Sequence, residues 1–196
     1  MIAEAQQTLT GLGGVNHGQL AIKAKDGPRT SALNKAVLAC QSVGIKVLSL
    51  RPEWIELRVP CAKSAIDPLH QLLTHLDADL TLEKAEAISY AFREMFRNAL
   101  EYGGQFNPRK QIEVRFIRTK RAVICRIKDP GNGFDPRQLS HAAINNPNSD
   151  PIRHASVREK NGLRAGGFGI LLTTQLVDEL VYNETHNEVL FIKYLF

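Results

Sequence analysis

The stretch Asp129-Pro-Gly-Asn-Gly-Phe-Asp135 follows directly after a segment in which apolar and polar side chains alternate. Residues 112–117 and 123–127 alternate on either side of a turn at 118–121, which predicts an antiparallel ribbon with one buried face. At the end of this ribbon, Gly131 and Gly133 let the backbone approach a ligand closely while the carboxylate of Asp129 faces it. Taken alone, the same residues are also typical of an ordinary turn.

The segment before the ribbon predicts a long helix that begins after Thr81 and ends at Gly103-Gly104. Glu94 and Asn98 are four positions apart, so both project from one side of this helix, beside its buried stripe. A solvated helix edge with one hydrogen-bonded pair is the alternative interpretation of these two residues. The residues of the stripe recur every three or four positions: Ala85, Ile88, Phe92, Met95 and Ala99.

After the ribbon, the polar stretch from Pro136 to Leu163 predicts a loop that is either disordered or functional, since loops this long are uncommon in compact domains. The cluster Gly166-Gly167-Phe168-Gly169 then opens a third helix. Free backbone N–H groups and the positive end of the helix dipole favour an anion at this cluster. A plain helix start after a flexible loop is the alternative. The side chains in register along the helix are Ile170, Thr174, Val177 and Leu180.

The rest of the chain supplies two hairpins and two shorter helices. Residues 45–50 pair with 54–59, and residues 180–182 with 189–196, each around a turn. A short helix runs from Ser31 to Gly44, and Asp67-Pro68 predicts the N-cap and first turn of an amphipathic helix that carries His70 and His75 at its surface or boundary. Helices on one face of a mixed, mostly antiparallel sheet make an α/β two-layer sandwich.

The first thirty residues are rich in Gly and Gln and show no period, which is typical of a loose arm. This arm, the short helix and an edge strand form an N-terminal extension over residues 1–50, and residues 51–196 form the main domain. Within that domain the segment from Arg109 to Lys128 is strongly basic. We interpret it as the solvated face of the ribbon rather than a nucleic-acid groove, because Phe116 is its only aromatic residue.

Composition narrows the class of protein. A chain of 196 residues, 43% hydrophobic and 23% charged, is long enough for one globular domain with a core. Its three cysteines are widely spaced, which favours neither a disulfide framework nor a zinc site and fits a reducing cytoplasm. No apolar stretch approaches the roughly 18 residues that a membrane span needs. The net charge of +5 leaves an acidic partner open.

In chain order, the carboxylate and amide on a helix, the Asp-x-Gly-x-Gly turn, the long loop and the glycine cluster form a series that resembles the Bergerat ATP-binding fold of the GHKL ATPases. Within that superfamily, Glu94-Met-Phe-Arg-Asn-Ala-Leu-Glu-Tyr-Gly103 is similar to the bacterial anti-sigma-factor serine/threonine kinases, which carry a histidine-kinase-like ATPase domain. Residues 55–60 and 169–179 share this likeness. The resemblance covers roughly Trp54 to Phe196.

The resemblance implies a role for each motif residue. Asn98 would bind Mg²⁺, which prefers oxygen ligands and would complete its shell with phosphates and waters. Glu94 would be the general base for the attacking hydroxyl. Asp129 would accept a hydrogen bond from the adenine amine, which selects ATP over GTP, and Gly131 and Gly133 would pass beneath the base.

The same resemblance assigns the phosphates to the backbone of Gly166, Gly167, Phe168 and Gly169, with residues 136–165 as a lid. Phe134 and Arg164 complete the set of nucleotide-binding candidates. The sequence leaves open which lid cation contacts phosphate: Arg153, Arg158, Lys160 or Arg164.

Two departures from the family pattern lie near these motifs. Tyr102 is followed by Gly103-Gly104, where Ala-Tyr is common in the family. His186-Asn187 stands where a Gly-Thr pair commonly enters the last strand. The usual threonine contact near the adenine would then fall to Thr185 or Asn187.

The function that follows is a cytoplasmic, ATP- and Mg²⁺-dependent serine/threonine kinase that phosphorylates a small STAS-type antagonist protein and sequesters a sigma factor or similar regulator, with a homodimer as one assembly. The alternative is a non-catalytic module that uses nucleotide to control partner binding. The catalytic half of a histidine kinase ranks below both, because no phosphoacceptor helix pair fits in residues 1–50. A nucleic-acid binder also ranks below both, because it rests on the charge of the segment from Arg109 to Lys128 alone.

Overall fold

A single antiparallel sheet organises the molecule, and the computed structural model describes residues 28–51, 53–76 and 79–196. The six strands of the sheet lie in the order β1-β2-β3-β4-β6-β5. The α/β two-layer architecture predicted from the sequence is confirmed, although each strand pair is antiparallel where a mixed sheet was predicted. The strands are β1 (Lys46–Arg51), β2 (Trp54–Pro60), β3 (Gln111–Arg118), β4 (Ala122–Lys128), β5 (Glu179–Tyr182) and β6 (Glu188–Tyr194).

Five α-helices lie in the described part of the chain. The long helix α3 continues into a π-helical turn at Ala99–Gly103, which places Gly103 beside Asp129, directly after β4. None of these helices combines the length and the apolar character needed to cross a bilayer. The helices are α1 (Pro28–Ser42), α2 (Ile66–Leu76), α3 (Leu82–Asn98), α4 (Arg153–Lys160) and α5 (Gly169–Leu176).

Alternation along the strands decides which face of the sheet meets the helices. Leu57 pairs with Val114, Val114 with Ile127 and Ile127 with Val189, so one buried apolar row crosses four strands. The opposite face carries charged side chains on the same four strands. Arg115 donates to Glu56 and Arg126 to Glu188 there, so part of the basic segment is neutralised by acids on neighbouring strands.

The region before residue 51 joins the same core. Strand β1 lies at one edge of the sheet and pairs with β2, with Leu50 opposite Ile55. Ala36 and Cys40 of α1 are buried in the same cluster of apolar side chains. The predicted loose arm falls largely outside the described residues, but α1 already begins at Pro28. The domain boundary at residue 50 stays a prediction.

Three local predictions were wrong. Asp67 is not an N-cap, because α2 begins at Ile66 after a 3₁₀ turn at Lys63–Ala65, so Asp67 lies inside the first helical turn. Helix α4 lies within the stretch predicted as loop. Helix α5 ends at Leu176, because Val177 is extended and leads into β5.

The predicted register of α5 was wrong as well. Thr173 is its fully buried residue and donates from its hydroxyl to the carbonyl of Gly169, whereas Thr174 is exposed. Leu180 lies in β5, where it pairs with Phe191 of β6.

Candidate functional site

A cavity of about 330 Å³ opens between α3, the end of β4 and the start of α5. Its volume is in the range of small-molecule sites. Eleven of the candidates named from the sequence line it, although they come from three separate segments of the chain. They are Glu94, Asn98, Asp129, Gly131, Gly133, Phe134, Arg164, Gly166, Gly167, Phe168 and Gly169.

Asp129 lies directly after β4 and is held by backbone groups. Its amide N–H donates to the carbonyl of Asn187 at 2.9 Å, and its Oδ1 accepts from the N–H of Gly131 at 2.7 Å. Burial raises the pKa of this carboxyl, while the hydrogen bond from Gly131 and the charge of Lys110 act in the opposite direction. Oδ2 accepts no hydrogen bond within the described residues, so this oxygen can accept one from a ligand in the cavity that Asp129 lines.

The glycines around Asp129 are required by close packing. A Cβ on Gly103 would collide with the Asp129 carboxylate, and one on Gly104 would collide with Cys61. Gly133 has φ +79°, and a Cβ there would collide with the carbonyl of Thr185. In the pair Gly103-Gly104, which departs from the family pattern, Gly103 therefore makes room for the carboxylate and Gly104 makes room for Cys61.

The turn before β6 contacts the same loop through Asn187. Its Nδ2 donates to the carbonyl of Gly131 at 3.0 Å, and its Oδ1 accepts from the hydroxyl of Thr185 at 2.9 Å. Of the two residues that the sequence offered in place of the family's threonine, Asn187 is thus the one whose side chain reaches the Asp129–Gly133 segment. His186, between them, lines the cavity.

Three aromatic side chains that line the cavity form one cluster, and the sequence had identified only Phe134 among them. The ring centroids of Phe134, Tyr182 and His186 are 5.3–5.6 Å apart. Burial, helped by the charge of Asp129, raises the pKa of Tyr182 to about 12, so its hydroxyl stays neutral and donates to the sulfur of Met95. The β5–β6 pairing could have revealed Tyr182, which lies opposite the buried Val189.

Glu94 and Asn98 line the other side of the cavity. The Glu94 side chain is 19% exposed, and its Oε1 lies 3.5 Å from Nη1 of Arg97. A Cβ on Gly169 would lie 2.5 Å from Oε2 of Glu94, so the first residue of α5 abuts this carboxylate. Among the described residues, the Asn98 carboxamide makes no hydrogen bond, which leaves its oxygen available to a ligand.

Two of the four lid cations line the cavity. Arg158 is 4% exposed, and it donates to the carbonyls of Arg164 at 2.8 Å and His141 at 3.2 Å. Arg164 contacts Glu101 at 3.3 Å, which ties the lid to the π-turn after α3. Arg153 and Lys160 are exposed and outside the lining.

The glycine cluster adopts backbone conformations that other residues avoid. Gly166 has φ +137° and Gly167 has φ +97°. The carbonyl of Gly167 accepts from the N–H of Ala143 at 2.9 Å, which fixes the cluster against the lid. Because the first N–H groups of a helix have no partner within it, the start of α5 can bind an anion here.

These donors suit a nucleotide with a magnesium ion. No group of three or more His, Cys, Asp or Glu side chains in the described residues could hold a metal alone. A single amide oxygen from Asn98 fits Mg²⁺, which keeps several waters and takes phosphate oxygens as further ligands. The end of the cavity at Asp129 would hold the adenine base. The end at Arg158, Arg164 and the start of α5 would hold the phosphates.

Comparison with known families agrees with this chemistry. The family model of the histidine kinase-like ATPase domain matches residues 62–193, which is more than half of the chain. The protein belongs to this family of GHKL-type ATPases, as the motif series predicted. Membership implies nucleotide binding, typically with Mg²⁺. No curated protein gives a significant match.

Proposed function

We propose that the protein is an ATP-dependent serine/threonine kinase of the anti-sigma-factor type. The observation that carries this proposal is the placement of Glu94 one helical turn from Asn98, in the cavity that also holds Asp129. A nucleotide-binding module needs Asn98 and Asp129, but a carboxylate beside the phosphate end has a use chiefly in proton transfer. The motif wording from Glu94 to Gly103 supports the anti-sigma type.

In this function, Asp129 binds the adenine amine, and Arg158, Arg164 and the start of α5 bind the phosphates. Mg²⁺, held by Asn98, would neutralise phosphate charge. Glu94 takes the proton of the substrate hydroxyl while the oxygen of that hydroxyl forms a bond to the γ-phosphorus. The bond between that phosphorus and the bridging oxygen breaks, and ADP leaves.

The protein substrate in this proposal is a small STAS-type antagonist, and the sequestered partner is a sigma factor or similar regulator. Both follow from the resemblance of the motifs. The proposal places the protein in the cytoplasm and includes a homodimer as its assembly.

A non-catalytic ATP switch is the second candidate, and one contact favours it. Glu94 is already paired with Arg97 and abuts Gly169, so its carboxylate has limited freedom to meet a hydroxyl. In this function, nucleotide binding reorders the lid and changes a partner surface without phosphoryl transfer.

Label transfer from [γ-³²P]ATP separates the two candidates. Partners would be captured from the source cell with ATP present and incubated with wild-type protein or Glu94→Gln. The kinase proposal expects phosphoserine or phosphothreonine on a small partner with wild type only, while both proteins bind ATP equally by calorimetry. Equal ATP binding without label in either sample would establish the switch instead.

A further inference from the structure

The lid helix α4 carries a buried histidine that none of the motifs explains. His154 is 0% exposed and lies four positions before Arg158, so both project from the same side of α4. Arg158 lines the cavity. The side of α4 that holds His154 is therefore the side that faces the glycine cluster.

Asn146 determines which ring nitrogen of His154 carries the proton. The Oδ1 of Asn146 accepts from the backbone N–H of His154 at 2.9 Å, and its Nδ2 donates to the carbonyl of Pro151. These two bonds fix the orientation of the amide, and they place Nδ2, a donor, 2.6 Å from Nδ1 of His154. Nδ1 must then be an acceptor, so the neutral ring carries its proton on Nε2.

The Nε2–H donor of His154 has no hydrogen-bond partner within the described residues. Buried donors without an acceptor are rare in folded proteins and call for an explanation. The edge that bears this nitrogen faces the glycine cluster, since a Cβ on Gly167 would lie 2.8 Å from the adjacent carbon, Cδ2. The ring also packs edge-on against Phe168, with 4.4 Å between centroids.

We propose that Nε2–H of His154 is a hydrogen-bond donor for the phosphate chain of the nucleotide. His154 itself does not line the cavity: the backbone of Gly167, which does, lies against the imidazole edge, so a phosphate reaches Nε2 once this glycine shifts. The Phe168 ring beside it is 42% exposed, so His154 is the buried member of this ring pair. An anionic oxygen at the start of α5 is the acceptor that this donor lacks. The inference rests on nucleotide binding by this cavity, as the proposed function does.

Calorimetry with three ligands tests the inference on the full chain. Wild type, His154→Phe and His154→Gln would be titrated with ATP, ADP and adenosine at fixed Mg²⁺. Phe keeps a planar ring but removes the donor, so ATP affinity falls about tenfold or more, which corresponds to roughly 1.4 kcal/mol, while adenosine binds as before. Gln places an amide nitrogen near the Nε2 position, so ATP binds within about threefold of wild type.

Melting temperatures of both variants show whether they fold. If the unpaired Nε2–H donor has no contact with the nucleotide, His154→Phe binds ATP and adenosine with the wild-type ratio of affinities. That result would overturn the inference about His154 but not nucleotide binding by the cavity. Failure of wild type to bind ATP would overturn nucleotide binding as well.

Nitrogen-15 NMR of the wild-type histidines gives a readout that needs no variant. The inference expects His154 in the Nε2–H tautomer and a shift of this resonance on addition of ATP but not of adenosine. A proton on Nδ1, or a resonance unchanged by ATP, would contradict it.

Discussion

Replacement of Asp129 by Asn separates nucleotide recognition from stability. Since Oδ1 of Asp129 accepts from the N–H of Gly131 at 2.7 Å, the amide oxygen of Asn takes this place. The amide nitrogen of Asn then takes the place of Oδ2, the oxygen that the proposed function assigns to the adenine amine. A donor would meet the amine of adenine, which is also a donor, and the hydrogen bond is lost.

The two consequences have opposite signs. Loss of a hydrogen bond to a charged group costs about 1.5–3 kcal/mol, or roughly 10-fold to 150-fold in the Kd for ATP. Burial raises the pKa of Asp129 in the folded protein. A carboxyl whose pKa is higher in the folded than in the unfolded state adds to the free energy of unfolding at a pH below the unfolded-state pKa. This contribution is lost as the pH rises through the folded-state pKa. At pH 7 the buried charge of Asp129 therefore destabilises the folded protein. Because Asn is neutral, the melting temperature of the variant stays level or rises.

The assay combines calorimetry with ATP and GTP and thermal melting at pH 7. Asp129→Asn should bind ATP weakly, and its preference for ATP over GTP should narrow because the carbonyl of guanine accepts from the new amide. Asp135→Asn is the matched control, since Asp135 lies in the same loop but binds Arg137 and is outside the cavity lining. Wild-type ATP affinity in Asp129→Asn would refute the assignment, and a parallel fall in melting temperature would refute the stability argument.

Three further changes test other parts of the site and fold. Asn98→Ala should abolish the Mg²⁺-dependent part of ATP affinity, and an unchanged response of Kd to Mg²⁺ would exclude Asn98 as a ligand. Glu101→Gln releases Arg164 from its 3.3 Å ion pair, so Arg164 is free to bind phosphate and the affinity for ATP should rise. Because exposed ion pairs are worth at most about 1 kcal/mol, the rise should be at most about fivefold. A lower affinity would show instead that the ion pair positions Arg164. Deletion of residues 1–50 removes all of β1 except Arg51, together with the buried Cys40, so melting temperature or solubility should fall. A truncated protein that melts like the full chain would identify an independent arm.

Periodicity predicted most of the sheet because one face of it is buried. The apolar residues of β3 and β4, such as Val114 and Ile127, alternate without interruption, and a register slip would move all of them to the solvent. The long helix α3 was predictable for the same reason, since Ile88, Phe92 and Met95 make a stripe that must be covered. In each case the burial of one face determines the pattern.

The errors occurred where tertiary contacts override local preference. Val177 and Leu180 continue the apolar period of α5, yet pairing with β6 draws Leu180 into a strand. Asp67-Pro68 has the composition of a helix start, but a 3₁₀ turn already leads into α2 at Ile66. Such competition between neighbouring elements leaves no mark in a local pattern.

The candidate site was predictable as a set of residues, because its glycines and carboxylate stand at fixed places relative to strand and helix ends. The sequence did not predict which of the lid cations line the cavity. Arg158 and Lys160 look alike in the sequence, and only the carbonyls of His141 and Arg164 draw Arg158 inward. These acceptors are backbone groups, which any sequence possesses.

Helix α4 was not predicted from the sequence, and it also carries the lid cation Arg158. It has a polar buried face, with His154 and Arg158 where a conventional helix carries apolar side chains, so no hydrophobic period could reveal it. Its burial depends on acceptors in the lid and on Gly167, which also line or support the cavity. A ligand that orders the glycine cluster would therefore also stabilise α4, and a change in α4 would alter the phosphate end of the site. Under either proposed function, this coupling would let the lid signal bound nucleotide to a partner, whether or not phosphate is transferred.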